Sequence, residues 1–226
     1  MSIANLLPAI VNRGIFKLFK SNLSEYLKHS SQGIPICDLH QKHVQNARLV
    51  SSRLELLKLM PKEAIVAELG VDKGAFSKEI LETSKPRKLH LVDTWGSSRY
   101  NSSKMESVRV QFSDQLNEGK VEIHHGLSTE VVSQFKDGYF DWVYIDTDHT
   151  YETTKRELER YASKLKPGGV IAGHDYVVGN WYGMFKYGVV EAVNEFCVKN
   201  DWEIIYLSTE LSIGASFAIS SIESPS

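Results

Sequence analysis

The chain has 226 residues and a formal charge of −2, with 42% hydrophobic residues. That is enough for one domain with a full core and a modest extension, and too little for a second catalytic domain. The charge balance gives no general pull toward nucleic acid. Two separated cysteines, Cys37 and Cys197, outside any Cys-x-x-Cys, argue against a disulfide framework or a zinc site and fit a reducing, cytoplasmic setting. No apolar run reaches membrane-spanning length, and the N-terminus lacks the pattern of a secretory signal.

In chain order, Leu6, Leu7, Ile10, Val11, Leu18, Phe19, Tyr26 and Leu27 recur at helical spacing, with Arg13, Lys17, Lys20 and Lys28 on the other side. This predicts an amphipathic basic helix or helix pair, broken at Gly14 or at Ser21-Asn22. It would pack on its own domain, on a second copy of the chain, or on a membrane surface. Gln32-Gly33-Ile34-Pro35 ends the pattern. Asp38 and Gln41 resemble a capping box, predicting a helix that carries Val44, Ala47, Leu54 and Leu57 inward and stops at Pro61. The expected organisation is a helical extension over 1–60 and a nucleotide-binding α/β domain over 61–226.

Ala64–Ser77 is the most informative stretch. A short apolar run ends at Glu68, passes Gly70 and Gly74, and enters a helical pattern over Phe76–Leu81, giving strand, tight turn and helix. Glycines at such a turn let a ligand approach the backbone closely. The dinucleotide fingerprint Gly-x-Gly-x-x-Gly is absent; the spacing is Glu-x-Gly-x-x-x-Gly.

Lys88–Val92 reads as a strand ending at Asp93, about 20 residues beyond the turn, where a carboxylate can accept from both hydroxyls of a ribose or cap the next helix. Trp95 walls the ligand or fills the core. Met105–Leu116 has helical spacing, and Val121–His125 is a strand closing at Gly126-Leu127-Ser128. The strand Trp142–Ile145 delivers Asp146, Asp148 and His149 to its carboxyl end, where open α/β sheets bind ligands. A helix over Tyr151–Leu165 leads to Gly168-Gly169-Val-Ile-Ala-Gly-His174-Asp175, a strand that brings two more titratable groups to the same edge. Tyr176, Trp181, Tyr182, Phe185 and Tyr187 then form an aromatic loop, a lid or a self-association surface in equal measure. A helix over Val189–Cys197 and strands over Trp202–Leu207 and Ala215–Ser220 complete the pattern.

The ordered set Glu-x-Gly-x-x-x-Gly, Asp93, Asp146-x-Asp148-His149 and Gly-Gly-Val-Ile-x-Gly-His-Asp resembles the class I S-adenosylmethionine-dependent methyltransferases, specifically the bacterial group that includes antibiotic-sugar O-methyltransferases, from Pro61 to about Leu207. It is similar, more distantly, to the cation-dependent catechol O-methyltransferases. The resemblance implies a Rossmann-like, doubly wound, seven-stranded sheet with an antiparallel last strand. It implies S-adenosylmethionine as cofactor, held by Glu68, Gly70, Gly74, Ser77, Asp93, Trp95, Gly126, Leu127, Ser128 and Asp146. Aligned on the Gly-Gly-Val-Ile motif, Asp146 and the pair His174-Asp175 fall on divalent-cation ligands and His149 on the basic lysine. The departures are a histidine where the catechol group has an aspartate, a poorer partner for Mg²⁺ than for Mn²⁺, and Ser77 one position late.

The expected function is O-methylation of a small hydroxylated acceptor, a sugar or a phenol, with Asp146 and His149 as catalytic groups and Mg²⁺ or Mn²⁺ assisting. No nucleic-acid partner is expected. The alternatives are a metal-free enzyme with His149 as sole base, and a non-catalytic cofactor-binding or membrane-associated assembly module led by the N-terminal helix.

Overall fold

The computed structural model describes residues 9–180, 183–210 and 214–222, with side chains from Gly14 onward. The chain divides into two compact units, Met1–Pro35 and Ile36–Ser226. In the first, α1 (Ala9–Ser30) is one uninterrupted helix, with neither of the breaks expected from Gly14 and Ser21-Asn22. Ile15, Phe16, Leu18 and Phe19 are exposed on it. Leu6 and Leu7 lie outside the described residues. No helix among those described is long and apolar enough to cross a membrane.

The second unit is a mixed α/β sheet. Its strands are β1 (Arg48–Val50), β2 (Ile65–Leu69), β3 (Lys88–Asp93), β4 (Val121–His125), β5 (Phe140–Ile145), β6 (Leu165–Gly173), β9 (Trp202–Ser208) and β10 (Phe217–Ser221); β7 (Gly179–Asn180) and β8 (Phe185–Lys186) form a separate hairpin. The order is β4-β3-β2-β5-β6-β10-β9-β1, all parallel except β10, which runs antiparallel to both β6 and β9. This is the Rossmann-like methyltransferase arrangement with an antiparallel last strand. One strand is added to the expected seven. β1 pairs with β9 in a segment expected to be helical: Gln41–His43 is a single 3₁₀ turn, and the helix proper, α2, is only Arg53–Leu59. Asp38 caps nothing there; Ser52 does, its Oγ accepting from the Glu55 N–H at 3.2 Å.

Alternation along the strands supplies two buried faces. Val66, Leu89, Leu91, Trp142 and Tyr144 form one core with Leu56 and Leu57 of α2, Phe76 and Ile80 of α3 (Ala75–Thr83) and Val108 of α4 (Ser102–Gln111). The intervening residues Ala67, Leu69, Val143 and Ile145 are buried as well. α5 (Ser113–Asn117) and α6 (Ser128–Val131) are short; α7 (Tyr151–Ala162) packs on β5 and β6 and against α8 (Val189–Asn200). The order reverses on either side of β2, which opens a crevice at the carboxyl ends of β2 and β5.

Candidate active site

A cleft of about 450 Å³ lies at that switch point. Its floor is the turn after β2. Gly70 has φ +89°, and a Cβ there would stand 1.9 Å from the Asp146 carbonyl oxygen, so the turn crosses the end of β5 with no room for a side chain. Gly74, at φ +74°, is the N-cap of α3, packed against the Phe112 ring. Asp93 braces the turn from β3: Oδ2 accepts from the N–H groups of Val71 (2.8 Å) and Asp72 (2.9 Å), and Oδ1 from that of Trp95 (2.8 Å). Three backbone donors fix the carboxylate at the cleft wall and leave a lone pair of Oδ1 available to a ligand. The fixed rim beside it includes Asp72, paired with Lys104, and Tyr100.

Of the predicted cofactor residues, Glu68, Gly70, Asp93, Gly126, Leu127, Ser128 and Asp146 line the cleft. Gly74 stands just behind it at the helix start. Two predicted residues lie elsewhere. Trp95 is 3% exposed in the core and donates its indole N–H to the Asp72 carbonyl at 2.9 Å, supporting the turn from beneath because its left-handed backbone (φ +38°) turns the ring inward. Ser77 is fully buried one turn into α3, beside Glu68 rather than in the cleft.

Burial pushes the Glu68 carboxyl up to about 8, the Ser77 hydroxyl partly offsetting this, and its Oε2 has no partner among the described residues. A buried, unsatisfied acceptor on a cleft wall is a position at which a ligand's N–H or O–H completes the bonding. Ser128 and Thr147 are tied together from behind: both hydroxyls donate to buried Glu157 of α7, at 2.5 and 2.9 Å, and burial pushes that carboxyl up to about 8. Arg53, at the start of α2, also lines the cleft, its guanidinium 4.4 Å over the Phe76 ring. Sequence reading missed it; the Ser52-x-x-Glu55 pattern, which places a helix start at Arg53, was the available signal.

Where β5 and β6 end beside the cleft, Asp146, His149 and Asp175 each offer a ligand atom, all within 4.8 Å of one another. His149 Nε2 is 3.4 Å from Asp175 Oδ2. His149 (φ +61°) and Asp175 (φ +57°) are both left-handed, which is what turns them toward Asp146. Burial pushes the Asp146 carboxyl up, with His174 and His149 opposing. His174, predicted as a cation ligand, is not in this group. It is 6% exposed behind Asp175, its Nδ1 3.2 Å from Asp175 Oδ2 and its buried Nε2 without a partner among the described residues, beside a small cavity that Thr154, Val189 and Phe217 also line. Asp148 is committed to the start of α7, accepting from Thr150 N (3.0 Å), Thr150 Oγ1 (2.9 Å) and Thr153 Oγ1 (2.8 Å). The Tyr187 ring packs on His149 at 4.7 Å, whereas Tyr176 faces away, bonded to Asn194 of α8. Trp181 and Tyr182 of the aromatic loop lie outside the described residues.

A family profile described as a methyltransferase domain matches residues 67–176, the span from the middle of β2 to just past Asp175. Over these residues the protein is a methyltransferase domain. The methyltransferase is similar in structure to the pyocyanin biosynthetic protein PhzM (TM-score 0.57, 11% identity, covering 75% of this chain and 54% of that one). It is similar to a putative rRNA-methylase from Clostridium thermocellum (0.57, 13%, 76% and 95%) and to a putative O-methyltransferase from Nostoc punctiforme (0.54, 13%, 74% and 55%). It therefore spans about half the length of PhzM and nearly all of the clostridial protein. At these identities the likeness is one of fold. No curated protein matches in sequence.

Proposed function

We propose that this methyltransferase methylates a hydroxyl group of a small acceptor, a sugar or a phenol. The observation that carries the reading is the meeting of Asp146, His149 and Asp175 at the end of the cofactor cleft, a set of groups suited to orienting and deprotonating a hydroxyl. The lining of the cleft supports this reading: the Gly70 turn leaves backbone exposed, and Asp93 would take the ribose, Gly126–Ser128 the adenine through backbone groups, and Arg53 the carboxylate. When bound, the cofactor supplies a methyl group on a sulfonium, already activated toward a lone pair. The protein's task is therefore positioning and proton removal.

His149 is the group placed to take the acceptor's proton, with Asp175, facing its Nε2, stabilising the imidazolium that forms. Asp146 and Asp175 orient the acceptor hydroxyl. Two carboxylates and one imidazole also fit a divalent cation of the Mn²⁺, Fe²⁺ or Zn²⁺ type better than Mg²⁺, and such an ion would lower the hydroxyl's pKa. In that arrangement His149 is a ligand, where the sequence pointed to His174. An RNA acceptor finds less support, because carboxylates outnumber cations along this cleft.

The test is calorimetry of Mn²⁺ into protein saturated with S-adenosylhomocysteine, beside turnover on a panel of sugars and catechols. Ion binding lost in Asp146→Ala and Asp175→Ala establishes the cation form. Turnover without ion binding, abolished in His149→Ala, establishes the metal-free form. Cofactor binding with no turnover on any hydroxyl acceptor overturns the proposal.

A further inference from the structure

A second cluster of ligand-type side chains lies on the sheet away from the cleft. His90 of β3 stands opposite Glu122 of β4, and His124 follows two residues later, so strand alternation puts all three on one face. His90 Nδ1 is 2.9 Å from His124 Nε2; Glu122 Oε1 is 3.6 Å from His124 Nε2, and Oε2 is 3.9 Å from His90 Nδ1. Four ligands held tetrahedrally at zinc bond lengths lie about 3.4 Å apart. The three separations straddle that value.

The far side of each ring is also held. His124 Nδ1 faces the amide oxygen of Gln134 at 3.3 Å, which can only accept, so Nδ1 carries the proton and Nε2 presents its lone pair to the cluster. His90 Nε2 meets the Tyr139 hydroxyl at 3.1 Å. Outer partners of this kind fix the tautomer and orientation of metal-bound histidines. Burial, with His124 adding to it, holds His90 down to about 4, so its ring stays uncharged at neutral pH. Glu122 is half exposed, which leaves the open side of the cluster to solvent as a fourth ligand.

We infer that His90, Glu122 and His124 form a second cation site, distinct from the cleft, for a d-block ion such as Zn²⁺, Co²⁺ or Ni²⁺. Imidazole donors exclude Mg²⁺ and Ca²⁺ as the preferred occupants. Without the ion, His90 Nδ1–H donates to His124 Nε2. On loading, His90 takes its other neutral tautomer, with the proton on Nε2 toward Tyr139, and the ion takes the place between the two nitrogens. The competing cation is Lys88, 2.9 Å from Glu122 Oε2; it also donates to the Gly119 carbonyl at 2.8 Å, which anchors it when Glu122 turns to the ion. Occupied, the site clips the edge strand β4 to β3.

The experiment is a Co²⁺ titration of full-length protein carrying Asp175→Ala, which disables the cleft as a competing site, followed by visible d–d absorption and by the thermal midpoint. A tetrahedral Co²⁺ band that saturates at a single ion, is displaced by Zn²⁺ and is absent after adding His124→Ala is expected. Glu122→Gln, at a half-exposed position where misfolding is not a concern, weakens binding about tenfold or more. Lys88→Met tightens it severalfold. No tetrahedral band, or a band indifferent to both Glu122→Gln and Lys88→Met, overturns the inference; a purely structural imidazole pair gives that result.

Discussion

A methyl group at Gly70 would collide with the Asp146 carbonyl and force an L side chain into a left-handed backbone. Gly70→Ala therefore abolishes S-adenosylhomocysteine binding and lowers the melting temperature sharply. Gly119→Ala is the control: φ is +68° but the added methyl meets open space, so only the backbone cost of about 1–2 kcal/mol appears. Arg53 makes a more selective prediction. If it holds the cofactor's carboxylate, Arg53→Ala weakens S-adenosylhomocysteine by roughly tenfold or more, the loss of a charge-assisted bond, and leaves methylthioadenosine, which has no amino-acid group, unchanged. Equal losses for both ligands in a calorimeter would show that Arg53 serves only to pack on Phe76. At this scale the sequence was legible wherever placement at the cleft follows from position along a strand, as for Glu68, Asp93 and Asp146. Of the two places open to Trp95 the structure takes the core, and His149 rather than His174 stands with Asp146 and Asp175; Trp95, His149 and Asp175 all take left-handed backbone just past a strand end, which no strand pattern or motif alignment encodes.

Among the elements, β2, β3, β5 and β10 were readable because each is a short apolar run between turn residues, β6 only in its apolar half after Gly168-Gly169, and α7 because its apolar positions repeat at helical spacing. The segment before β2 was not. β1 exists through pairing with β9, some 160 residues away in sequence, and its partner is invisible to any local pattern. The start of α7 shows an opposite failure, in which a chemical residue proves architectural. Asp148, which the sequence brings to the ligand edge with Asp146 and His149, has its carboxylate bonded to Thr150 and Thr153. Asp148→Ala should cost about 1 kcal/mol in stability, by loosening the bonds that hold the Thr150 cap, and leave Mn²⁺ affinity within about threefold. A loss of ion binding as complete as in Asp175→Ala would return Asp148 to the ligand set.

Over the whole molecule, the buried titratable groups set the pH dependence of stability. Glu68 and Glu157 are pushed from 4.5 to about 8, principally by burial, so between those values the folded chain holds two protons that the unfolded chain has released. By linkage this stability is fully present below pH 4.5 and is lost as pH rises to 8. His90 works against it: held at about 4 against 6.5 unfolded, it contributes stability present above pH 6.5 and lost as pH falls toward 4. The opposing slopes partly cancel between 4.5 and 6.5. From 6.5 to 8 only the carboxyls of this set remain, each contributing up to about 1.4 kcal/mol per pH unit, so the steepest loss falls in that window. Glu157→Gln keeps an uncharged group of the same shape against Ser128 and Thr147 at every pH. Denaturant titrations at pH 6.5 and 8 should then show roughly half the wild-type decline, with the variant the more stable protein at pH 8. Parallel declines in the two proteins would mean that Glu157 is already ionised at pH 6.5, and that the hydroxyls of Ser128 and Thr147 hold it as a buried carboxylate.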